Sequence, residues 1–299
     1  MTLGCSTLGF LRDAIFIWIA ALANRRVVTH LKGGGYGEFY EHRSWLFQQV
    51  IRLTIERADC VIVLGELLRE QFAFLRDQSR IHVVYNGLPL KIDPLDCRAR
   101  RHVAGRPLAL LFMSNMILSK GILDVLDAAR LLVDEGVEIS VKLCGGFVAT
   151  AVDRSPRELR NVDDLLREVR ARALEDVVTY YGVVQGDAKL SVLRESDVFV
   201  LPTYYEWEGQ PISIIEAMAF GLPVVTTAHK GIPEQVTDGV NGLIVQPRSP
   251  RSIADAVRRL CRPDVYEKLS CGAIARYKER FTQEAHLRNL ISTIYGDKT

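Results

Sequence analysis

Two carboxylates stand in one stretch with a glycine, a proline and a serine between them: Glu208-Gly-Gln-Pro-Ile-Ser-Ile-Ile-Glu216-Ala-Met-Ala-Phe-Gly221-Leu-Pro-Val-Val. The apolar segment Val198-Phe-Val-Leu201 reads as a strand that runs into Pro202-Thr-Tyr-Tyr and an acidic loop, and a helix is expected to open at Pro211. Proline suits a first helical position, because its missing N–H would have no intrahelical partner there. The free N–H groups of Gly209, Gln210, Ile212 and Ser213 then form an anion site, with phosphate the natural occupant. Glu216 falls about five residues into this helix, roughly 7 Å from the anion end at ~1.5 Å per residue. It also sits inside an otherwise apolar face, where an unpaired carboxylate is costly, so a plain buried helix explains it poorly.

A second candidate lies in Ser114-Asn-Met-Ile-Leu-Ser-Lys120-Gly121, between the apolar strand segment 108–113 and a helix with Ile122, Val125, Leu126, Ala129, Leu132 and Val133 on one stripe. A lysine so placed can pair with phosphate oxygens as a mobile point charge. A third is the glycine run 33–37, which follows a short strand ending at His30. It does not fit Gly-x-Gly-x-x-Gly, and no acidic residue follows at dinucleotide spacing, so a nicotinamide dinucleotide site is disfavoured.

The order of Glu, seven residues, Glu, then Ala-Met-Ala-x-Gly-x-Pro-Val resembles the donor-site signature of the retaining glycosyltransferases of family 4, which have the GT-B fold. His30-Leu-Lys-Gly-Gly is similar to that family's histidine-containing loop, and Lys120-Gly121 to its diphosphate-holding Lys-Gly. The resemblance implies two Rossmann-like parallel-sheet domains facing a cleft. It also implies transfer of a hexose from a UDP- or GDP-sugar to a hydroxyl acceptor, with retention of configuration.

By this resemblance Glu216 binds the ribose hydroxyls and Lys120 the diphosphate. Glu208 holds sugar hydroxyls near the reacting carbon, and His30 lies near sugar and acceptor. Gly209, Gln210, Pro211, Ile212 and Ser213 meet the phosphates, and the turn with Val183 covers the base. Asn115 stands where the family often has an arginine, which removes one positive charge. Glu208, His30 and Lys120 are thus the expected catalytic set. Lys120 and the helix N-terminus are the expected electrostatic catalysts for the departing diphosphate, and, with no acidic pair at metal-holding spacing, no metal site and no cofactor are expected.

The elements that must position these residues alternate between strand and helix, which implies parallel sheets covered by helices. Three strand segments, 27–30, 60–64 and 81–85, precede Asn86, with helices expected over 43–58 and 66–76. A pattern-poor stretch with two prolines, 88–106, reads as a linker. The expected organisation is therefore a first domain over 1–105 including the linker, and a donor-binding domain over 106–282. A terminal helix from Gln283 would return to the first domain. At ~30 residues per strand–helix–strand step, the first domain is short of the family pattern by roughly 90 residues. That leaves open a protein, or a fragment of one, that binds nucleotide sugar without turnover. A charged helix is expected over 156–173 and reads as a solvated face.

Composition narrows the classes. The chain has 299 residues, 48% hydrophobic and 25% charged, and a formal net charge of +2, too small to argue for a nucleic-acid partner. Residues 1–105 carry 14 Lys and Arg against 10 Asp and Glu, a basic balance suited to an anionic lipid or acidic acceptor. Six scattered cysteines without Cys-x-x-Cys spacing argue against a zinc site or a disulfide framework and for a reducing cytoplasm. The apolar run 14–23 is ten residues long, half of what a spanning helix needs, and reads as a buried helix. The expected setting is the cytoplasm, with peripheral contact at the inner membrane face and a saccharide or lipid-linked acceptor in polysaccharide or glycolipid biosynthesis.

Overall fold

The computed structural model describes residues 1–88, 92–93, 95–101, 105–148 and 159–296. They form two compact units, each with a parallel sheet: unit 1 is Met1–Pro89, Glu206–Pro211 and Arg280–Thr299, and unit 2 is Leu90–Tyr205 and Ile212–Glu279.

Unit 1 opens with helix α1 (Thr7–Leu22), whose Ser6 hydroxyl accepts from the Gly9 N–H. Strand β1 (Val28–His30), helices α2 (Tyr36–Glu41) and α3 (Trp45–Ile55), and strands β2 (Cys60–Val63) and β3 (Ile81–Val83) follow. The sheet order is β1-β2-β3, and Thr2 adds a parallel bridge to His30. Every residue of β2 is buried, as expected of a parallel strand covered on both faces. Between β2 and β3 the chain forms a 3-10 helix, Glu66–Phe72, shorter than the helix expected over 66–76. Gln71 within it is turned inward, accepting from the Tyr36 N–H and donating to the Gly33 carbonyl.

Helix α1 departs from the expectation of a buried helix. Only Phe10, Asp13 and Ile17 are buried, while Leu8 is 80% and Leu22 82% exposed, with Ile15, Phe16 and Ile19 also outward. Apolar residues lie on every side of this helix, so a three-stranded sheet can cover only one face. Helix α3 continues the exposed apolar surface with Trp45, Leu46, Val50 and Leu53. The two helices are joined by the Trp18 indole N–H, which donates to the Thr54 hydroxyl at 3.1 Å.

Unit 2 runs β4 (Leu108–Met113), α4 (Ile122–Asp134), β5 (Ile139–Cys144), α5 (Val162–Arg170), β6 (Val178–Gly182), α6 (Gly186–Arg194) and β7 (Val198–Leu201). After the excursion into unit 1 come α7 (Ile212–Ala219), β8 (Val224–Thr227), α8 (Ile232–Gln235), β9 (Gly242–Val245), α9 (Pro250–Leu260) and α10 (Pro263–Arg276). All six strands are parallel, in the order β6-β5-β4-β7-β8-β9. The order reverses between β4 and β7, the place where open α/β sheets hold ligands at the carboxyl ends of their strands. Ile214, Ile215 and Met218 of α7 are fully buried, each worth ~1.5–3 kcal/mol of transfer energy.

The expected boundaries shift in two places. In the stretch read as a linker, residues 89–91, 94 and 102–104 lie outside the described residues. Arg100 is built into unit 2, its guanidinium donating to the carbonyls of Leu193, Arg194, Ser196 and Phe220. Residues Glu206–Pro211, expected in the donor domain, belong to unit 1. Part of the charged helix expected over 156–173 also lies outside the described residues, and the described helix is Val162–Arg170.

The terminal helix α11 (Gln283–Tyr295) belongs to unit 1. The Leu88 N–H donates to the Phe281 carbonyl, the His286 ring meets the Tyr85 carbonyl at 2.6 Å, and Leu290 and Ile294 pack against Cys60, Ile62 and Val84.

Candidate functional site

In unit 2 Lys120 follows β4, and Ile212, Ser213 and Glu216 follow β7, the two strands between which the order reverses, while Val183 follows the edge strand β6. The chain leaves β4 through Ser114 and closes a single 3-10 turn, Leu118–Lys120. Gly121 then adopts a left-handed conformation (φ 84°), with Pro202 so near that a Cβ would stand 2.7 Å from its ring and its carbonyl oxygen. That close approach and that φ explain why glycine follows Lys120. The loop after β7 braces the same turn: the Tyr204 N–H donates to the Ser119 carbonyl at 2.8 Å, and the Thr203 hydroxyl donates to it at 3.4 Å. Lys120 Nζ lies 4.5 Å from the Tyr205 ring centroid, a cation–π contact that restrains a flexible ammonium without neutralising it. Arg248 stacks over Tyr204 in the same way at 4.5 Å.

Behind this turn, burial and the neighbouring Asp127 push the Asp124 carboxyl up to about 6, against the lowering effect of Arg248. Asn115 is exposed on the loop after β4. The turn after β5 holds Gly145, whose carbonyl accepts from the Tyr180 hydroxyl at 2.7 Å. Val183, 65% exposed, follows β6 and lies against Gly146.

Glu216 sits on the second turn of α7 and is buried. Its carboxylate is paired: the Lys189 ammonium of α6 donates to Oε1 at 2.7 Å. Ile212 and Ser213 form the first turn of α7, so the helix opens one residue after the expected Pro211.

The other expected residues are held in unit 1. Glu208 is buried on the loop Glu206–Pro211. The Trp207 ring covers Gly35 so closely that a Cβ there would overlap it, and the Trp207 carbonyl accepts from the Gly34 N–H at 3.2 Å. A Cβ on Gly209 would stand 2.7 Å from the Lys32 carbonyl oxygen. The glycine run thus serves to receive a neighbouring loop.

The Gln210 side-chain amide is engaged through both its nitrogen and its oxygen. It donates to the Leu64 carbonyl at 2.9 Å and accepts from the Asn86 N–H at 2.7 Å, while the Asn86 side chain donates to the Gln210 carbonyl. The anion site expected from one continuous run is therefore divided: Gly209, Gln210 and Pro211 are fixed to unit 1, and Ile212 and Ser213 to unit 2.

His30 ends β1 with Nε2 buried and, among the described residues, without a hydrogen-bond partner. Burial first, then Lys32, His286 and the N-terminal amine, lowers its pKa from 6.5 to about 3, so the ring is neutral at pH 7. Burial also lowers the pKa of Lys32. Among the described residues no group of three or more His, Cys, Asp or Glu is placed to share a metal ion.

Lys189, Tyr204, Tyr205 and Arg248 escaped the sequence reading. The two tyrosines end the strand segment before the acidic loop, and that position was the available signal. Lys189 and Arg248 carry no local signal, because their partners are far away in sequence.

The family model described as "Glycosyl transferases group 1" matches residues 98–275. WcaL of Salmonella typhimurium, named for a glycosyltransferase of colanic acid biosynthesis, is 30% identical over 196 residues, covering 64% of this chain and 45% of WcaL. The D-inositol 3-phosphate glycosyltransferase of Mycolicibacterium smegmatis is 29% identical, covering 78% of this chain and 53% of its own length. The chain thus spans about half the length of these curated relatives. Among solved structures, Anabaena HepE in complex with UDP superposes with a TM-score of 0.77 at 20% identity, covering 95% of this chain and 76% of HepE. That likeness establishes the fold, the α/β architecture of GT-B proteins with two parallel sheets.

Proposed function

This chain belongs to the glycosyl transferases of group 1, and we propose that it moves a hexose from a nucleotide diphosphate sugar to a hydroxyl acceptor with retention at the anomeric carbon, as a family 4 enzyme. The observation that carries the reading is Lys120, held on Tyr205 where the strand order of unit 2 reverses. A cation restrained there is suited to a diphosphate. As the bond between the anomeric carbon and the diphosphate oxygen breaks, negative charge grows on the leaving group, and a preorganised ammonium stabilises it.

In this reading the N–H groups of Ile212 and Ser213 add donors to the phosphates and Glu216 takes the ribose. The turns bearing Gly145 and Val183 cover the base, and neutral Asn115 adds no charge. Glu208 would hold sugar hydroxyls, and neutral His30 would act as a hydrogen-bonding group toward sugar or acceptor. Both belong to unit 1, and their roles, like those of Gly209, Gln210 and Pro211, rest on the sequence resemblance. Donors are a UDP- or GDP-sugar, with no metal and no cofactor required.

The acceptor in this reading is a saccharide or lipid-linked hydroxyl, and the exposed apolar residues of α1 and α3, with the exposed Arg25 and Arg26 just after α1, are the observation behind peripheral contact with anionic lipid at the cytoplasmic side. Among the described residues no helix is long and apolar enough to cross a membrane. A second reading, binding without turnover, is favoured by the three described strands of unit 1 against the six of unit 2.

The test is incubation with UDP-glucose and with GDP-mannose plus saccharide and polyprenyl-phosphate acceptors, the product's anomeric coupling being read by NMR. Product with the donor's configuration supports transfer with retention. An inverted product contradicts retention, and nucleotide binding without any product supports the second reading.

A further inference from the structure

Lys189 is misplaced for an ordinary surface lysine. It lies in the first turns of α6, where the helix dipole disfavours a cation, and three-quarters of its side chain is buried. Ordering and desolvating a long charged side chain is unfavourable. Its one hydrogen-bond partner among the described residues is Glu216 Oε1 at 2.7 Å. Partly buried ion pairs of this kind contribute little net stability compared with an apolar pair of the same volume. The arrangement is better explained by a ligand than by the fold.

The inventory of donors and acceptors says which ligand. Lys189 takes one carboxylate oxygen. Oε2 of Glu216 has no described hydrogen-bond partner, and it is not sealed from solvent. The ammonium has three N–H donors and uses one on Oε1. The pair therefore offers one strong acceptor beside unused strong donors. A lone carboxylate can only accept from both hydroxyls of a diol. This pair can accept from one hydroxyl and donate to the oxygen of its neighbour. α6 begins just after Val183, at the carboxyl edge of the sheet, so the pair lies on elements that lead from the candidate site.

We propose that Lys189 and Glu216 together read the vicinal diol of a ribonucleotide: Lys189 fixes the carboxylate so that Oε2 accepts from one ribose hydroxyl, and its ammonium donates to the other. The inference rests on the assignment of Glu216 to the ribose and adds a second residue, with the consequence that discrimination against deoxyribonucleotides depends on both.

The test is calorimetric titration with UDP, GDP and their 2′-deoxy counterparts, on wild type, Lys189→Met, Lys189→Arg, Glu216→Gln and the double variant Lys189→Met/Glu216→Gln. Thermal melts are recorded in parallel. Wild type is expected to prefer the ribonucleotide by about tenfold or more, the loss of one charge-assisted hydrogen bond. Lys189→Met should remove most of that preference by weakening the ribonucleotide and leaving the deoxy form within about twofold. Lys189→Arg keeps the charge and should retain the melting temperature while changing the preference. The double variant relieves the unpaired carboxylate, so it reports on recognition if Lys189→Met alone fails to fold.

A Lys189→Met or double variant that melts lower and keeps the full preference makes the pair structural and overturns the proposal. If Glu216→Gln abolishes the preference and Lys189→Met retains it, the ribose assignment stands and this inference falls. If Glu216→Gln leaves the preference intact, or wild type binds neither nucleotide, the assignment falls and the inference with it.

Discussion

Glu208 and Glu216 are close neighbours in sequence and are held by different parts of the molecule. The loop Glu206–Pro211 is fastened to unit 1 through Trp207 on Gly35, Gly209 on Lys32, and Gln210 between Leu64 and Asn86. The helix that follows immediately is sunk in unit 2, with Ile214, Ile215 and Met218 fully buried and Glu216 paired to Lys189. One short motif therefore carries two independent sets of constraints. Backbone proximity and amide bonds fix the first half, and apolar burial fixes the second, with the ion pair orienting Glu216. Damage to one half should leave the work of the other measurable.

The largest effect that would sharpen this contrast lies in unit 2. Lys120→Ala should lower the turnover number for transfer by about 10²–10³-fold, ~2.7–4 kcal/mol, if Lys120 stabilises the leaving diphosphate. Steady-state kinetics with a sugar nucleotide checks this, and a change under threefold would remove Lys120 from the transition state. Glu216→Ala should weaken nucleotide binding by about 1.5–3 kcal/mol, the worth of hydrogen bonds to a charged group. Unchanged affinity in a titration would take Glu216 out of the ribose site.

In unit 1, Gly35→Ala drives a methyl into the Trp207 ring and should cost ~1–3 kcal/mol of stability by overpacking. Denaturant melts read that cost, and nucleotide affinity should stay as it is. A Gly35→Ala protein with normal stability and lost affinity would break the comparison.

The half-buried ring of His30 gives a smaller, pH-dependent effect. Its folded pKa, about 3, is below the ordinary 6.5, so the unfolded chain binds the extra proton between those values. Stability is therefore full above pH 6.5 and falls as pH drops toward 3. By linkage the loss is on the order of 1 kcal/mol at pH 5.5. His30→Gln should flatten this slope in melts at pH 7.5 and 5.5, and an unchanged slope would show that another group carries it.

The smallest expected change is in α1. Ile15→Glu replaces an outward-facing side chain and should alter stability by less than about 0.5 kcal/mol. The same substitution should reduce sedimentation with anionic vesicles, whereas a large loss of stability would mean the residue is covered in solution.

What the sequence made legible follows from which forces act locally. The run 108–113 states its strand as a short unbroken apolar segment buried on both faces, and the stripe through Ile122, Val125, Leu126 and Ala129 states its helix through the period that burial on one face leaves. The Lys120-Gly121 turn was readable for the same reason, since the left-handed φ of Gly121 is a local demand. The attachment of Glu206–Pro211 to unit 1 was not, because it depends on Trp207 meeting a glycine far away in sequence. Helix α1 misled because apolar residues on all sides carry no phase, so nothing in the run tells a buried face from an exposed one. Lys189 left no trace at all, as a charge within a short polar helix whose partner lies on another element.

The proposed function puts a nucleotide diphosphate on unit 2, with Lys120 meeting its phosphates. Calorimetric titration of wild type and Lys120→Ala with UDP, GDP, uridine and guanosine tests it most directly. With Lys120 on the phosphates, one of the two diphosphates binds at one site, and the Lys120→Ala variant loses affinity for that diphosphate while binding its nucleoside as wild type does. Binding of neither diphosphate, or equal loss for diphosphate and nucleoside, would contradict it.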